Sequence, residues 1–156
     1  MRVDAKIDTK QIKALMKKMP DQVERGSKSG LAKAAAYVEF TIKQRTARGM
    51  GVHRGFTPYS ESYKIARAKH GRSTTPVNLN WSGRMLASMT WKVKSAKLAI
   101  VTFSSGLEAK KAMFHHKMGA GKSRVKRPWF DIHPSEVRKL KQIFDKEFHK
   151  YLKRAV

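Results

Sequence analysis

The sequence predicts an α+β fold in which N- and C-terminal amphipathic helices pack on a small antiparallel sheet. Three observations lead to this prediction. Apolar residues recur at helical spacing near both ends. In the middle, Trp91 and Val93 alternate with polar residues and residues 98–103 are β-branched and apolar, and Gly- and Pro-containing turns separate these elements. With 156 residues, 40% of them hydrophobic, and no internal repeat or long linker, the chain is expected to form a single domain, 1–156.

The first helical pattern occupies residues 12–19, where apolar side chains recur every three or four positions. Thr9 is a candidate cap for its start. Pro20 is expected to end or restart this helix, because proline lacks the backbone N–H and clashes with the preceding turn. A second helix is therefore predicted to begin near Asp21.

Two glycines, Gly26 and Gly30, weaken the front half of this second helix, so its firm part is predicted over residues 31–46. Residues 48–58 read RGMGVHRGFTP and contain three glycines, which predicts a flexible loop.

A short helix is predicted over residues 59–69, with Ser60 as a candidate cap and a glycine after its end. Apolar residues alternate over residues 77–81, which indicates a short extended segment. One or two helical turns are predicted over residues 83–89, with Ser82 at the start and the apolar side chains packing inward.

Strand character is strongest in the next part of the chain. Residues 91–93 and 98–103 are expected to pair as a hairpin that turns near residues 95–97. A helix is predicted over residues 108–117, followed by a flexible basic loop over residues 119–127.

Residues 128–132 are predicted to form a brief strand or an anchor in the core. For the Trp129-Phe130 pair, packing in the core is favoured over stacking on nucleic-acid bases. The last helix is expected from Pro134 to the chain end, because proline suits the first helical position and Glu136 suits the positive helix N-terminus. The apolar face of this helix is predicted to contain Val137, Leu140, Phe144, Phe148, Tyr151 and Leu152.

Charge is the strongest functional signal, since 35 Lys and Arg residues against 11 acids give a formal charge of +24. Such an excess calls for an anionic partner: nucleic acid, an anionic membrane or an acidic protein. Because the charge is spread over the whole chain, it favours general electrostatic attraction over base readout. The residues predicted to face DNA or a partner are Lys43, Arg45, Arg48, Arg54, Lys122, Arg124, Lys126 and Arg127.

Several classes of activity find no support in the sequence. The Gly121-Lys122-Ser123 triplet resembles the end of a P-loop, but His116 occupies the position where that motif requires glycine. The chain has no cysteine, its histidines lack metal-ligand spacing, and its acids are scattered. We therefore expect no enzyme activity, no metal and no cofactor. The polar N-terminus and the lack of an apolar run of about 18 residues predict a soluble protein with no membrane partner.

Three segments carry a resemblance to a known family. In order, they read PYS..Y...R within residues 55–71, V.L..SGRML.SM within residues 76–89, and A..H...G.......R.WF within residues 112–137. Together they resemble the phage virion morphogenesis proteins, or tail completion proteins, of Mu-like and P2-like phages, and the related siphophage neck proteins. The residues of these segments that we expect to anchor the fold are Tyr59, Tyr63, Leu79, Gly83, Met85, Leu86, Trp129 and Phe130.

The resemblance implies a structural virion protein that completes the head-proximal end of the tail or neck and aids head–tail joining. It implies a homo-oligomeric ring, expected to be hexameric, assembled in the host cytoplasm. The implied partners are the tail terminator or tube and the connector or neck proteins, with the tape-measure protein and genomic DNA in the channel as further candidates. Two alternatives stay open: a cellular, sequence-nonspecific nucleic-acid-binding protein, and a tail-terminator or minor tail subunit.

Overall fold

The computed structural model describes residues 9–153, and side chains from residue 17 onward. It confirms the α+β class. The elements in chain order are α1 (Thr9–Ala47), α2 (Glu61–Lys69), α3 (Arg84–Ala87), β1 (Met89–Ser95), β2 (Leu98–Phe103), α4 (Gly106–Met113) and α5 (Pro134–Lys153). A π-helical turn, Phe114–Met118, continues directly from α4.

The first helix, α1, runs without interruption for 39 residues and contains Pro20. The predicted break at Pro20 and restart near Asp21 are therefore wrong. Proline removes one hydrogen bond and costs about 3 kcal/mol in a helix interior, but good helix formers on both sides can keep the helix continuous. The Thr9 cap and most of the apolar pattern at residues 12–19 lie outside the residues whose side chains the structure describes.

The two glycines of α1 are contact points for α5. An added Cβ at Gly30 would lie 2.7 Å from Cδ2 of Phe144, and one at Gly26 would lie 3.0 Å from Cδ2 of Phe148. The two phenylalanine rings stack on each other with centroids 5.7 Å apart. The absence of a side chain at both glycines therefore allows the aromatic face of α5 to approach the α1 backbone, which offsets their low helix propensity.

The predicted hairpin is confirmed. Strands β1 and β2 pair antiparallel, with Met89 opposite Phe103 and Trp91 opposite Val101, and an irregularity in the register follows Val93. One side of this two-stranded sheet packs on α1. The hydrophobic core lies where helix, sheet and connecting segments meet; its buried members are Val38, Ile42, Tyr59, Val77, Leu79, Met85, Met89, Ala112 and Trp129.

Some predicted segments have a different conformation. Residues 77–81 form no strand, since Leu79 has a φ of 52° and its side chain turns into the core. The short helix α3 begins after Gly83, which adopts a left-handed φ of 78°, so the predicted start at Ser82 is wrong by one residue. On α5, Val137 is 56% exposed, although we predicted it on the apolar face.

The boundaries of α2 and α5 follow the prediction closely. Ser60 is the N-cap of α2, although its side chain makes no capping hydrogen bond. Helix α5 begins at Pro134, and Glu136 accepts a hydrogen bond from the backbone N–H of His133 at 2.8 Å. This contact satisfies one of the free N–H groups at the helix start.

We expect the substitution Gly30→Ala to destabilise the protein by about 1–3 kcal/mol, because the new methyl group would overlap the Phe144 ring. A Gly→Ala change in an unhindered helix normally stabilises it. Urea unfolding would measure the difference. Gly106→Ala, at the start of α4 with open space around the position, is the matched control and should be neutral or stabilising. A Gly30→Ala protein as stable as the Gly106→Ala protein would contradict this account of the α1–α5 contact.

Candidate functional site

The two segments predicted as basic loops are each closed by backbone hydrogen bonds. In the first turn, residues 48–58, Met50 bridges to Gly55 and the N–H of Gly51 donates to the carbonyl of Arg54 at 2.8 Å. In the second turn, residues 119–127, Ala120 and Val125 exchange two backbone hydrogen bonds of 3.0 and 3.2 Å. Both segments are thus small hairpin-like turns with hydrogen-bonded backbones.

The glycines of the second turn have a structural explanation. A Cβ at Gly119 would overlap the backbone of Arg124, and both Gly119 and Gly121 have φ values in the left-handed region, 88° and 74°. No helix opens after Ser123, and the next helix begins only at Pro134. The P-loop resemblance therefore reflects a tight turn, because a phosphate-binding loop requires a helix N-terminus directly after it.

The two turns are joined to each other, although about 70 residues separate them in sequence. The N–H of Val52 donates to the carbonyl of Pro128 at 3.0 Å. Arg127 reaches across to the first turn, where its Nε and Nη2 donate to the carbonyls of Thr57 and Pro58 at 3.1 and 3.2 Å. Nothing in the sequence pattern indicates this pairing of the two turns.

A basic groove of about 360 Å³ lies where the turns meet, and Arg54, Lys126 and Arg127 are among the residues that line it. We call the exposed cations of both turns the basic-turn surface. Its members are Arg48, Arg54, Lys122, Arg124 and Lys126. These five of the eight predicted partner-facing residues are available to an anionic partner.

The other three predicted partner-facing residues bind within the protein. Lys43 pairs with Glu39 on α1. Arg45 forms an ion pair of 2.7 Å with Glu136 and donates to the carbonyls of Trp129 and Asp131. Both side chains are half-buried, so they contribute to packing between elements.

Arg127 is a correction to the sequence prediction, because its side chain is 6% exposed. Its guanidinium lies over the ring of Tyr59, 5.5 Å from the centroid, and donates to two backbone carbonyls. Burial lowers the pKa of this guanidinium, although arginine stays charged at neutral pH. The residue therefore joins the two turns and contributes no exposed charge to the basic-turn surface.

A second arginine, Arg67 on α2, is more deeply buried and was absent from the predicted site residues. Its Cζ lies 4.7 Å from the Tyr59 centroid, and its Nε and Nη2 donate to the carbonyls of Ser73 and Asn80. Tyr59 thus contacts two buried guanidinium groups. The signal available in the sequence was the final Arg of the PYS..Y...R pattern, one of the residues that carry the family resemblance.

These side chains line a cleft of about 700 Å³ between α2, the segment around Trp81 and the second turn. Tyr63 and Trp81 stack along one wall with centroids 5.9 Å apart, and Leu79 and Val125 contribute apolar surface. Its lining contains no Asp or Glu among the described residues.

The adjacent histidines of the π-helical turn have distinct roles. Nδ1 of His116 accepts hydrogen bonds from the backbone N–H groups of Trp129 and Phe130 at 3.2 and 3.3 Å. His115 lines the cleft, and its buried Nδ1 has no partner in the described part of the chain. Burial lowers the pKa of both imidazoles, assisted by the charge of Arg127 near His115 and of Lys117 near His116, while Asp131 opposes the shift at His116.

Most predicted anchors occupy the core. Tyr59, Leu79, Met85 and Trp129 are buried, and Trp129 is completely inaccessible, which excludes it from base stacking. Leu86 and Phe130 pack against the same core, and Gly83 supplies the left-handed turn before α3. Tyr63 is partly exposed and forms the aromatic wall of the cleft instead.

Within residues 9–153, no cluster of three or more His, Asp or Glu side chains has the arrangement of a metal site. No helix in that range has an apolar stretch long enough to cross a bilayer. Comparison of the chain with protein-family models, curated proteins and solved structures found no match.

Protein stability is expected to fall as the pH drops from about 7 to about 5. The folded-state pKa of His115 and of His116 is below the unfolded value, so the unfolded chain binds more protons as the pH falls below about 6.5. Protonation at Nδ1 of His116 would also break its two hydrogen bonds to the backbone. His116→Asn offers an acceptor that does not titrate and should flatten the pH dependence measured by urea unfolding. An unchanged pH dependence in this variant would show that His116 does not contribute to it.

Arg127→Gln should destabilise the fold by about 2–3 kcal/mol, since it removes charge-assisted hydrogen bonds that join the two turns. The neighbouring exposed residue provides the control: Lys126→Gln removes the same charge and should change stability by less than about 0.5 kcal/mol. Chemical denaturation of both variants gives the comparison, and equal stabilities would mean that Arg127 has no role in joining the turns.

Proposed function

We propose that the chain is a structural phage virion protein that completes the head-proximal end of the tail or neck and aids head–tail joining. The observation that carries the proposal is the convergence of the three segments on which the family resemblance rests. Tyr59 and Arg67 come from the first segment, Leu79 from the second, and His115 and Arg127 from the third. Segments that are separate in sequence but contiguous in space support the family resemblance more strongly than any one segment alone.

The proposal includes assembly into a ring, expected to be hexameric, around the DNA channel. A ring would repeat the +24 charge of one subunit several times around an axis. The basic-turn surface, with five exposed cations on two adjoining turns, is the part best suited to face DNA or an acidic neighbour. Such binding needs no base readout, because cations that neutralise phosphates release counterions from any sequence.

The partners we propose are the tail terminator or tube and the connector or neck proteins, with the tape-measure protein as a further candidate. Assembly would take place in the host cytoplasm, and the protein would be found in the tail or neck of the virion. The proposed role is structural and involves no catalysis. A tail-terminator or minor tail subunit is the closest alternative within the same class.

A cellular nucleic-acid-binding protein is the second candidate function. The observation in its favour is the basic groove between Arg54 and Lys126, which contains no acidic residue among its described lining. Such a protein would bind nucleic acid as a free monomer or dimer, whereas a virion subunit would assemble with protein partners.

Deletion of the gene from the parent element, followed by negative-stain imaging of the particles, tests the proposed function. Filled heads beside separate tails of finished length are the expected result. Heads without tails would place the protein earlier, in tail assembly. Normal infectious particles would contradict the virion role and favour the nucleic-acid-binding alternative.

A variant with the five residues of the basic-turn surface changed to Gln is expected to fold normally and to lower particle assembly or DNA retention at least about tenfold. The control removes the same number of charges from exposed positions of α5: Arg138, Lys139, Lys141, Lys146 and Lys153. Complementation of the deletion by each variant, with infectious titre as the measurement, compares them. Equal titres of the two variants would contradict a specific role for the basic-turn surface.

A further inference from the structure

We propose that the cleft between α2 and the second turn is a binding site for an acidic segment of a partner protein, with Arg67 and Arg127 receiving its carboxylate. The two guanidinium groups lie on the same tyrosine ring, with Cζ atoms 4.7 and 5.5 Å from its centroid. Both side chains line the cleft. Neither arginine belongs to the basic-turn surface, but the two sites adjoin, because Lys122 of that surface also lines the cleft and Arg127 also lines the basic groove.

The charges of these arginines are uncompensated within the described part of the protein. Arg67 is 2% and Arg127 6% exposed, yet neither forms an ion pair with any described carboxylate. Buried charges are normally paired, since an unpaired one carries a large desolvation cost. Backbone carbonyls partly offset this cost, and they occupy Nε and Nη2 of each group. The Nη1 groups of both arginines therefore keep donors for a ligand.

Tyr59 provides an independent indication of a ligand. The residue is 7% exposed and lines the cleft, but its hydroxyl is buried and has no hydrogen-bond partner in residues 17–153. Buried hydroxyls are rarely left unpaired, because the loss of hydration costs about 1–3 kcal/mol. A carboxylate between the two guanidinium groups would accept from this hydroxyl as well, which would satisfy all three side chains together.

The shape and lining of the cleft favour a peptide over nucleic acid. The guanidinium groups are buried beneath walls of aromatic and aliphatic side chains, including the Tyr63–Trp81 stack and Val125. Duplex DNA presents its phosphates on a convex surface, which does not fit guanidinium groups buried within a cleft. A Glu or Asp side chain with apolar neighbours can enter such a cleft, and the +24 charge of the chain favours acidic partners.

Binding of blocked pentapeptides tests the proposal directly. Two pools would be compared, both randomised among apolar residues at the outer positions, with either Glu or Gln fixed at the centre. Salt at about 0.3 M suppresses general attraction to the basic protein. We expect the wild-type protein to retain the Glu pool at least about tenfold more strongly than the Gln pool.

Tyr59→Phe is the decisive variant, because it keeps the ring beneath both arginines and removes only the hydroxyl that has no partner. It should fold as well as the wild type and lower the preference for Glu over Gln by about threefold to tenfold. Arg67→Gln, where it folds, should abolish the preference. The control Arg54→Gln removes a charge outside the cleft and should leave the preference unchanged.

Equal retention of the two pools by the wild-type protein would overturn the proposal, as would a preference that Tyr59→Phe leaves intact. A single-stranded octathymidylate that binds in competition with the Glu pool, and more strongly than it, would show that the cleft takes phosphate and would also overturn the proposal. Peptide binding and particle assembly are measured separately. Failure of this proposal therefore does not contradict the proposed virion function, and failure of the virion function does not contradict this proposal.

Discussion

The fold depends on one irregular segment, residues 127–131, which has no secondary structure of its own and contacts α1, β2, the π-helical turn and the first turn. Its backbone groups bind to the side chain of Arg45 on α1, to the imidazole of His116 and to the N–H of Val52 in the first turn. Trp129, completely buried, places this segment in the centre of the core. A segment without helix or strand can be buried only when other groups satisfy its backbone, and here side chains distant in sequence do so.

The sequence was informative wherever local periodicity determines structure. The hairpin, the helix beginning at Pro134 and the burial of Trp129 all followed from spacing, proline position and apolar character. It failed at Pro20, which predicted a helix break that α1 does not have because the flanking helix formers keep the helix continuous. It also failed at Gly30, where a close helix–helix contact overrides the low helix propensity of glycine.

The candidate sites show the same contrast between features that local sequence predicts and features that depend on tertiary contacts. Residue type identified exposed cations such as Arg54 and Lys126, but only the fold brings the two turns that carry them together. Arg127 has the same local sequence character as Lys126, and its burial is set by carbonyls some 70 residues away. The excess of positive charge is therefore divided between an exposed surface and two guanidinium groups buried around Tyr59. Net charge alone cannot distinguish these roles, because exposed and buried arginines count equally in it.

The pairing of α1 with α5 also determines when the protein can fold during its synthesis. Ser29 bonds Glu147 across 118 positions, and Arg45 bonds Glu136 across 91. In a nascent chain, the apolar face of α1 stays exposed until α5, Pro134–Lys153, has left the ribosome. Contacts of such long range slow folding and prolong the exposure of apolar surface to aggregation. In the meantime, mutual repulsion among the many Lys and Arg side chains opposes association between nascent chains.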